Sequence, residues 1–141
     1  MQFDDIIYAM RELTVKGAKT RAWKAVSLYI RKRDPYCVTC LVKGKKSPTT
    51  QCGHYKHNSD KPNKQLGGNL LWYYEKNYGG QCTFCNCYNS GELDAFAIHL
   101  EREYGHGILQ ELQNIYNTPK KWTITELLEI ERKYTEKLEK I

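Results

Sequence analysis

Gln51-Cys52-Gly53-His54-Tyr55, followed by Asn77 and Gln81-Cys82-Thr83-Phe84-Cys85-Asn86, decides how this chain is read. Cys82 and Cys85 are two residues apart, and an earlier pair of the same spacing, Cys37 and Cys40, stands upstream. That spacing lets one tight turn present two sulfurs, and four thiolates make a tetrahedral zinc site. A structural Zn²⁺ on Cys37, Cys40, Cys82 and Cys85 is therefore expected. Two disulfides are the rival reading, and they need an oxidising compartment. A core of roughly 60 residues rarely holds without such a staple. Cys52 and Cys87 stand outside the pairs, either as small buried hydrophobes or as contributors to a metal site.

Outward from this centre the pattern predicts two strands. One covers residues 51–55. The other covers 69–74, carried by Leu70, Leu71, Trp72, Tyr73 and Tyr74, whose rings read as core. A polar, basic loop fills 43–50, and a second loop fills 56–68. Upstream, helical spacing covers residues 2–15 and then 21–32, where Trp23, Val26 and Ile30 mark the buried stripe. Asp34-Pro35 closes the second helix, because the residue before proline avoids the α region. Downstream, Leu93, Phe96, Ala97, Leu100 and Tyr104 form a stripe that stops at Gly105. A short helix over 108–116 follows. Thr123 and Glu126 spell a capping box opening a last helix over 124–138. The expected class is α+β: an N-terminal helical extension (1–20), a zinc-braced core (21–105) and a C-terminal helical arm (106–141). Leu127, Ile130, Tyr134, Leu138 and Ile141 share a face that packs on its own chain by default, or on a second subunit in a homodimer.

Net charge is +6 over 141 residues, and it is uneven. Residues 1–64 carry 14 Lys+Arg against 5 Asp+Glu, and residues 65–141 carry 8 against 11. The basic half suits a polyanion. Lys24, Arg31, Lys32, Arg33, Lys43, Lys45 and Lys46 are the candidates to hold DNA phosphates without reading sequence. The bland alternative is an ordinary solvated charged surface. No run of about 18 apolar residues exists, so no membrane span is expected. The start of the chain lacks the basic and apolar regions of a signal peptide, which suggests the cytoplasm.

Cleavage of a phosphodiester needs a base for water, a cation for the phosphate and leaving oxygen, and a frame that aligns them. His54 is the candidate base, since histidine titrates near neutrality and residue 54 lies at the end of a predicted strand. Asn86 follows the second cysteine pair directly, and its amide oxygen suits a hard cation such as Mg²⁺ or Mn²⁺. A carboxamide at Asn77 can tie down the loop holding His54 with both its donor and its acceptor. Each has a plainer reading: packing or surface for His54, helix capping for Asn86. His57 and His106 read as loop and turn residues, and His99 as a solvated helix position.

The pattern Gly53-His54, Asn77 and Cys82-Thr-Phe-Cys85-Asn86 resembles the HNH nuclease motif in its His-Asn-Asn variant. Ala22 to Asp34, Gln51 to Tyr55, Glu75 to Asn77, Gln81 to Asn86, Ser90-Gly91 and Lys121-Trp122-Thr123 are together similar to the lambdoid-phage NinG (Rap) recombination family, over roughly residues 20–140. The Cys-x-x-Cys-Asn element also resembles phage endonuclease VII. The resemblance implies a treble-clef ββα-metal core and a structure-selective endonuclease acting on branched recombination intermediates such as Holliday junctions and D-loops. It would work in the host cytoplasm, with a phage recombinase as a conceivable partner. Two positions depart from the patterns. Many HNH enzymes carry a metal-binding Asp before the base, where this chain, like the NinG pattern, has Gly53. Cys87 stands where the family tends to show a basic residue. The cation's second protein ligand is then open among His57, Asp60, Glu92 and Asp94. A catalytically silent zinc module that binds DNA, and an HNH homing or packaging endonuclease on linear duplex, remain as alternatives.

Overall fold

A computed structural model describes residues 2–4, 13–57 and 69–141. The helix expected over 2–15 falls mostly outside them. The first fully described helix, α1, is Val15–Arg33. It starts earlier than the stripe at Trp23 suggested, because Thr14 caps it by accepting from the Gly17 amide at 3.0 Å. The helix runs unbroken through residues 20 and 21, so the expected boundary between extension and core falls at no break in the chain. Arg31, Lys32 and Arg33 occupy its last turn, where cations oppose the helix dipole. Asp34 ends it, as the following proline requires.

A short helix α2 (Val38–Val42) carries the first cysteine pair. Strand β1 (Gln51–His54) then pairs antiparallel with β2 (Tyr78–Gln81), in the register Gln51↔Gln81, Cys52↔Gly80, Gly53↔Gly79 and His54↔Tyr78. A single turn with π-type hydrogen bonding (Phe84–Tyr88) leads from the second cysteine pair toward α3 (Leu93–Tyr104). Two more helices follow: α4 (Ile108–Tyr116) and α5 (Ile124–Glu139). The result is helices around a two-stranded sheet.

The second strand does not lie at 69–74. Leu70–Tyr73 forms a tight 3₁₀ turn, nucleated when the Asn69 side chain accepts from the Leu71 amide at 2.9 Å. Leu71 and Tyr73 are buried and Trp72 is half-buried, so these side chains do serve the core. Their β-forming character was overridden by a local cap. The strand forms instead on Tyr78-Gly-Gly-Gln81, a poor strand sequence by propensity. A Cβ on Gly80 would meet the Asp34 carbonyl oxygen at 2.7 Å and Thr49 Cγ2 at 2.8 Å, so only glycine lets β2 pass so close to the end of α1. Asp34 secures the strand there by accepting from the Gly80 amide at 2.9 Å.

Two apolar clusters hold the elements. In one, α5 lies along α1: Leu127 and Tyr134 pack on Ala18, Ala22, Ala25, Val26 and Tyr29, with Tyr73 and Tyr78 beneath. Alanines on α1 allow the close approach. The apolar face of α5 is thus covered by its own chain rather than left for a second subunit. The other cluster joins Leu71 to Phe96, Leu100, Ile108 and Leu112. The capping box at Thr123 and Glu126 is present in full.

Candidate metal centre and adjoining polar site

Cys37, Cys40, Cys82 and Cys85 converge, with all four sulfurs within 4.8 Å of one another. Cys40 Sγ lies 3.7 Å from Cys82 Sγ and 3.5 Å from Cys85 Sγ. A tetrahedron of metal–sulfur bonds near 2.3 Å has edges of about 3.8 Å, so the cluster has the dimensions of a zinc site. All four are free thiols rather than disulfides. The four cysteines could therefore hold a zinc ion.

The surroundings favour negative sulfur at Cys37 but not at Cys40 or Cys85, which burial pushes up. Burial pushes the Cys37 thiol up, but hydrogen bonds from the Thr39 hydroxyl and from the Cys82 and Cys40 amides outweigh it and draw it down to about 6. Burial pushes Cys85 up to about 12, so the charge of a metal is what would remove its proton. Lys43 reaches to 3.6 Å from Cys85 Sγ while pairing with Glu92 at 2.8 Å. Lys43, grouped by sequence with the phosphate-holding cations, thus attends the sulfur cluster. Arg33 is a clearer correction: its guanidinium binds both oxygens of Asp34 (2.9 and 2.8 Å) and the Tyr78 carbonyl (3.0 Å), turned into the fold instead of toward a ligand. Lys24, Arg31, Lys32, Lys45 and Lys46 are exposed. Lys46 sits 4.3 Å above the Tyr36 ring.

The second cysteine pair is bracketed by two carboxamides, Gln81 before Cys82 and Asn86 after Cys85. Asn86 Nδ2 donates to Gln51 Oε1 at 2.6 Å. Its Oδ1 then faces β1, 3.1 Å from where a Cβ on Gly53 would stand. Gln81 is fully buried, with its Nε2 donating to Thr39 Oγ1 at 3.1 Å and to the Gly91 carbonyl at 2.9 Å.

His54 ends β1 and alternates to the opposite face from Gly53. Its Nε2 lies 2.9 Å from His57 Nδ1, ring edge to ring face. It lines a shallow hollow of about 280 Å³ with Trp23, Trp72 and Tyr78. Asn77 is buried and grips the next turn of chain: its Oδ1 accepts from the Lys56 amide at 3.0 Å, and its Nδ2 donates to the Lys56 carbonyl at 2.9 Å. The Tyr55 amide donates to the Asn77 carbonyl at 2.8 Å. The chain leaving His54 is held at both edges.

Of the residues considered as a further cation ligand, His57 is engaged with His54, and Glu92 is tied to Lys43 and Asn89. Asp94 is exposed on α3, and Asp60 lies outside the described residues. Cys52 packs against the α1 cluster, and burial pushes its thiol up to about 12, as suits a small hydrophobe. Cys87 is exposed, its thiol donating to Gln51 Oε1 at 3.3 Å. His99 is half-buried in a polar hollow with Arg33, Asp34, Glu75, Glu103 and Tyr104, not solvated as its position off the apolar stripe suggests. Gln51 and Gln81 stand in the sequence pattern with no role of their own. The signal that could have found them is their place on the same strand face as Gly53, two residues apart on β1 and across the ladder on β2.

These features define a small α+β protein braced by a four-cysteine cluster. A family model described as "Bacteriophage Lambda NinG protein" matches residues 8–141, so the chain belongs to the NinG family. The match begins nearer the N-terminus than the resemblance at 20–140. "Protein ninG" of Escherichia phage 933W is 30% identical over 120 residues, covering 84% of this chain and 55% of that protein. "Protein ninG" of Escherichia phage lambda is 30% identical over 84% of this chain and 54% of its own length. That of Salmonella phage P22 is 28% identical over the same shares. The chain spans about half the length of the curated relatives it matches. No solved structure matches it.

Proposed function

We propose that this chain is an HNH-type, metal-dependent DNA endonuclease with a ββα-metal, treble-clef core, acting on branched recombination intermediates. The observation that carries the reading is the juncture at Gly53-His54: Gly53 faces the Asn86 amide oxygen, while His54 sits next to it on a strand end clamped by Asn77. A knuckle, a strand pair and a turn bearing Asn86 follow one another in the order that such a core requires. Family membership supports a role in phage recombination.

His54 takes the proton of a water in line with the scissile phosphate, and His57 against its Nε2 orients the ring or relays the proton. Asn77 keeps the strand end rigid, so the imidazole keeps its aim. Asn86 Oδ1 is the oxygen that would bind the cation; Mg²⁺ or Mn²⁺, when bound, neutralises the phosphate and the departing 3′ oxygen. Products are a 5′-phosphate and a 3′-hydroxyl. Lys24, Arg31, Lys32, Lys45 and Lys46 hold backbone phosphates. No helix among the described residues is long and apolar enough to cross a membrane, and action in the host cytoplasm follows from the DNA substrate. A pair of cuts across a junction calls for two active sites. A homodimer would then use a surface other than the covered face of α5.

One observation favours a second reading. Gly53 carries no carboxylate, which suits a silent zinc module that binds DNA as an accessory to a recombinase. Incubating a labelled four-way junction with the protein in Mg²⁺, Mn²⁺ or EDTA decides between them. Cleavage that needs the cation and survives excess linear duplex is the expected result. A shifted but intact junction sinks the enzyme, and cutting abolished by linear competitor points instead to a homing or packaging enzyme.

A further inference from the structure

Gln81 Oε1 is fully buried and has no hydrogen-bond partner among the described residues. An orphaned buried amide oxygen is destabilising and calls for an explanation. A flipped amide is not one. The Nε2 end donates to the Gly91 carbonyl, which can only accept, so the oxygen end has to face the other way. That carbonyl lies in a turn in which Ser90, Gly91 and Glu92 all have positive φ (52°, 86° and 53°), a costly run for the two non-glycine residues.

The oxygen faces the gap left by Gly53. A Cβ on Gly53 would overlap Gln81 Oε1 and stand 3.1 Å from Asn86 Oδ1. Gln81 Oε1 therefore occupies the place where a side chain at residue 53 would begin, with Asn86 Oδ1 beside it. Asn86 turns its amide nitrogen to Gln51 and its oxygen to this side, so it does not satisfy Gln81 here. Two acceptors face that space without a proton between them, which is the arrangement a hard cation completes.

We propose that Gln81 Oε1 is the second protein ligand of the divalent cation, delivered from β2 through the space that glycine at residue 53 keeps clear. The cation then meets two neutral oxygens and no carboxylate. Its charge is balanced by the DNA phosphate, so cation and substrate bind together. The proposal rests on the endonuclease reading for the presence of a cation, and it adds the ligand that reading lacks.

The test is an electron paramagnetic resonance titration of Mn²⁺ into zinc-loaded protein, with and without a short four-way junction, for wild type and four variants. Wild type should bind Mn²⁺ weakly alone and at least about tenfold more tightly with the junction. Gln81→Met, close in volume, and Asn86→Ala should each lose about tenfold or more in Mn²⁺ affinity. Gly53→Asp combined with Gln81→Gly moves the ligand to the other strand as a carboxylate and should restore binding without DNA. Gln81→Glu should melt at lower temperature than wild type, and Mn²⁺ should raise its melting temperature more than it raises that of wild type. Zinc content is measured throughout to show that the cysteine cluster is intact. Wild-type affinity in zinc-replete Gln81→Met, with loss in Asn86→Ala, overturns the Gln81 assignment and leaves the endonuclease standing. No Mn²⁺ bound by wild type, even with the junction, overturns both.

Discussion

Two clusters of ligand atoms stand back to back in this fold, one of sulfur and one of amide oxygen. They share the same short stretch of chain. Cys82 and Cys85 face the sulfur cluster, while their outer neighbours Gln81 and Asn86 present oxygens toward β1. The sulfur cluster has the dimensions of a closed structural site. The oxygen pair has no charge of its own and lies against β1, with Gln81 Oε1 fully buried. The contrast suggests a division of labour: soft ligands that could hold a zinc ion set the spacing of hard ligands that, on the proposed reading, would hold a cation only with a substrate. Two residues between the cysteines also determine how far apart the two amides stand.

The strongest way to break this pairing is Cys85→Ser. Structural zinc supplies roughly 10 kcal/mol or more of folding free energy. Loss of cooperative unfolding in a denaturant melt, together with loss of bound zinc, is expected, and the oxygen pair should vanish with it. A variant that keeps its fold and its Mn²⁺ affinity would show the two sites to be independent. Next in size is His54→Ala, which removes the proposed base but touches neither cluster. Junction cleavage should fall by about 10² to 10⁴-fold, with zinc content and DNA affinity unchanged. Undiminished nicking would take His54 out of the mechanism.

Asp34→Ala tests the strand that connects the sites. Asp34 holds Arg33 through both oxygens and anchors the Gly80 amide, so its removal should cost about 3 kcal/mol in urea unfolding. Both clusters should loosen together, read as faster release of zinc to a chelator. The mildest perturbation should spare both. Glu75 accepts from Lys137 at 2.7 Å and lies 3.5 Å from Arg33, joining α5 to the core. Burial pushes its carboxyl up, but the Lys137 hydrogen bond and charge outweigh that and hold it below the ordinary 4.5. A folded pKa below the unfolded one means its stabilisation is complete above about pH 4.5 and fades as pH falls further. Glu75→Gln should flatten that acid limb, and zinc retention across it should match wild type.

Much of the helical frame is legible because it follows local rules. Thr123 and Glu126 announce α5, Gly105 ends α3, and Asp34-Pro35 ends α1 wherever the chain goes next. The cysteine pairs are equally plain, because a two-residue spacing has few other uses. The sheet was harder. Leu70 to Tyr74 has every mark of a strand, yet one side-chain bond from Asn69 curls it into a 3₁₀ turn. Tyr78-Gly-Gly-Gln81 has none of those marks, yet it is the strand. Arg33 and Lys43 look like free cations in sequence; Asp34 is Arg33's own chain neighbour, but Glu92 meets Lys43 only through the fold.

What residues alone determined, then, is chemistry that depends on near neighbours: which helices form, which thiols pair, and which side chains could act as base or ligand. Tertiary structure decided where the second strand runs and which way each amide faces. Both depend on contacts between residues far apart in the chain. Glycine at residue 80 becomes a strand residue because the end of α1 passes within van der Waals distance, and the Gln81 amide faces as it does because its Nε2 donates to Thr39, far back in the chain, as well as to the Gly91 carbonyl. No window of sequence contains either fact.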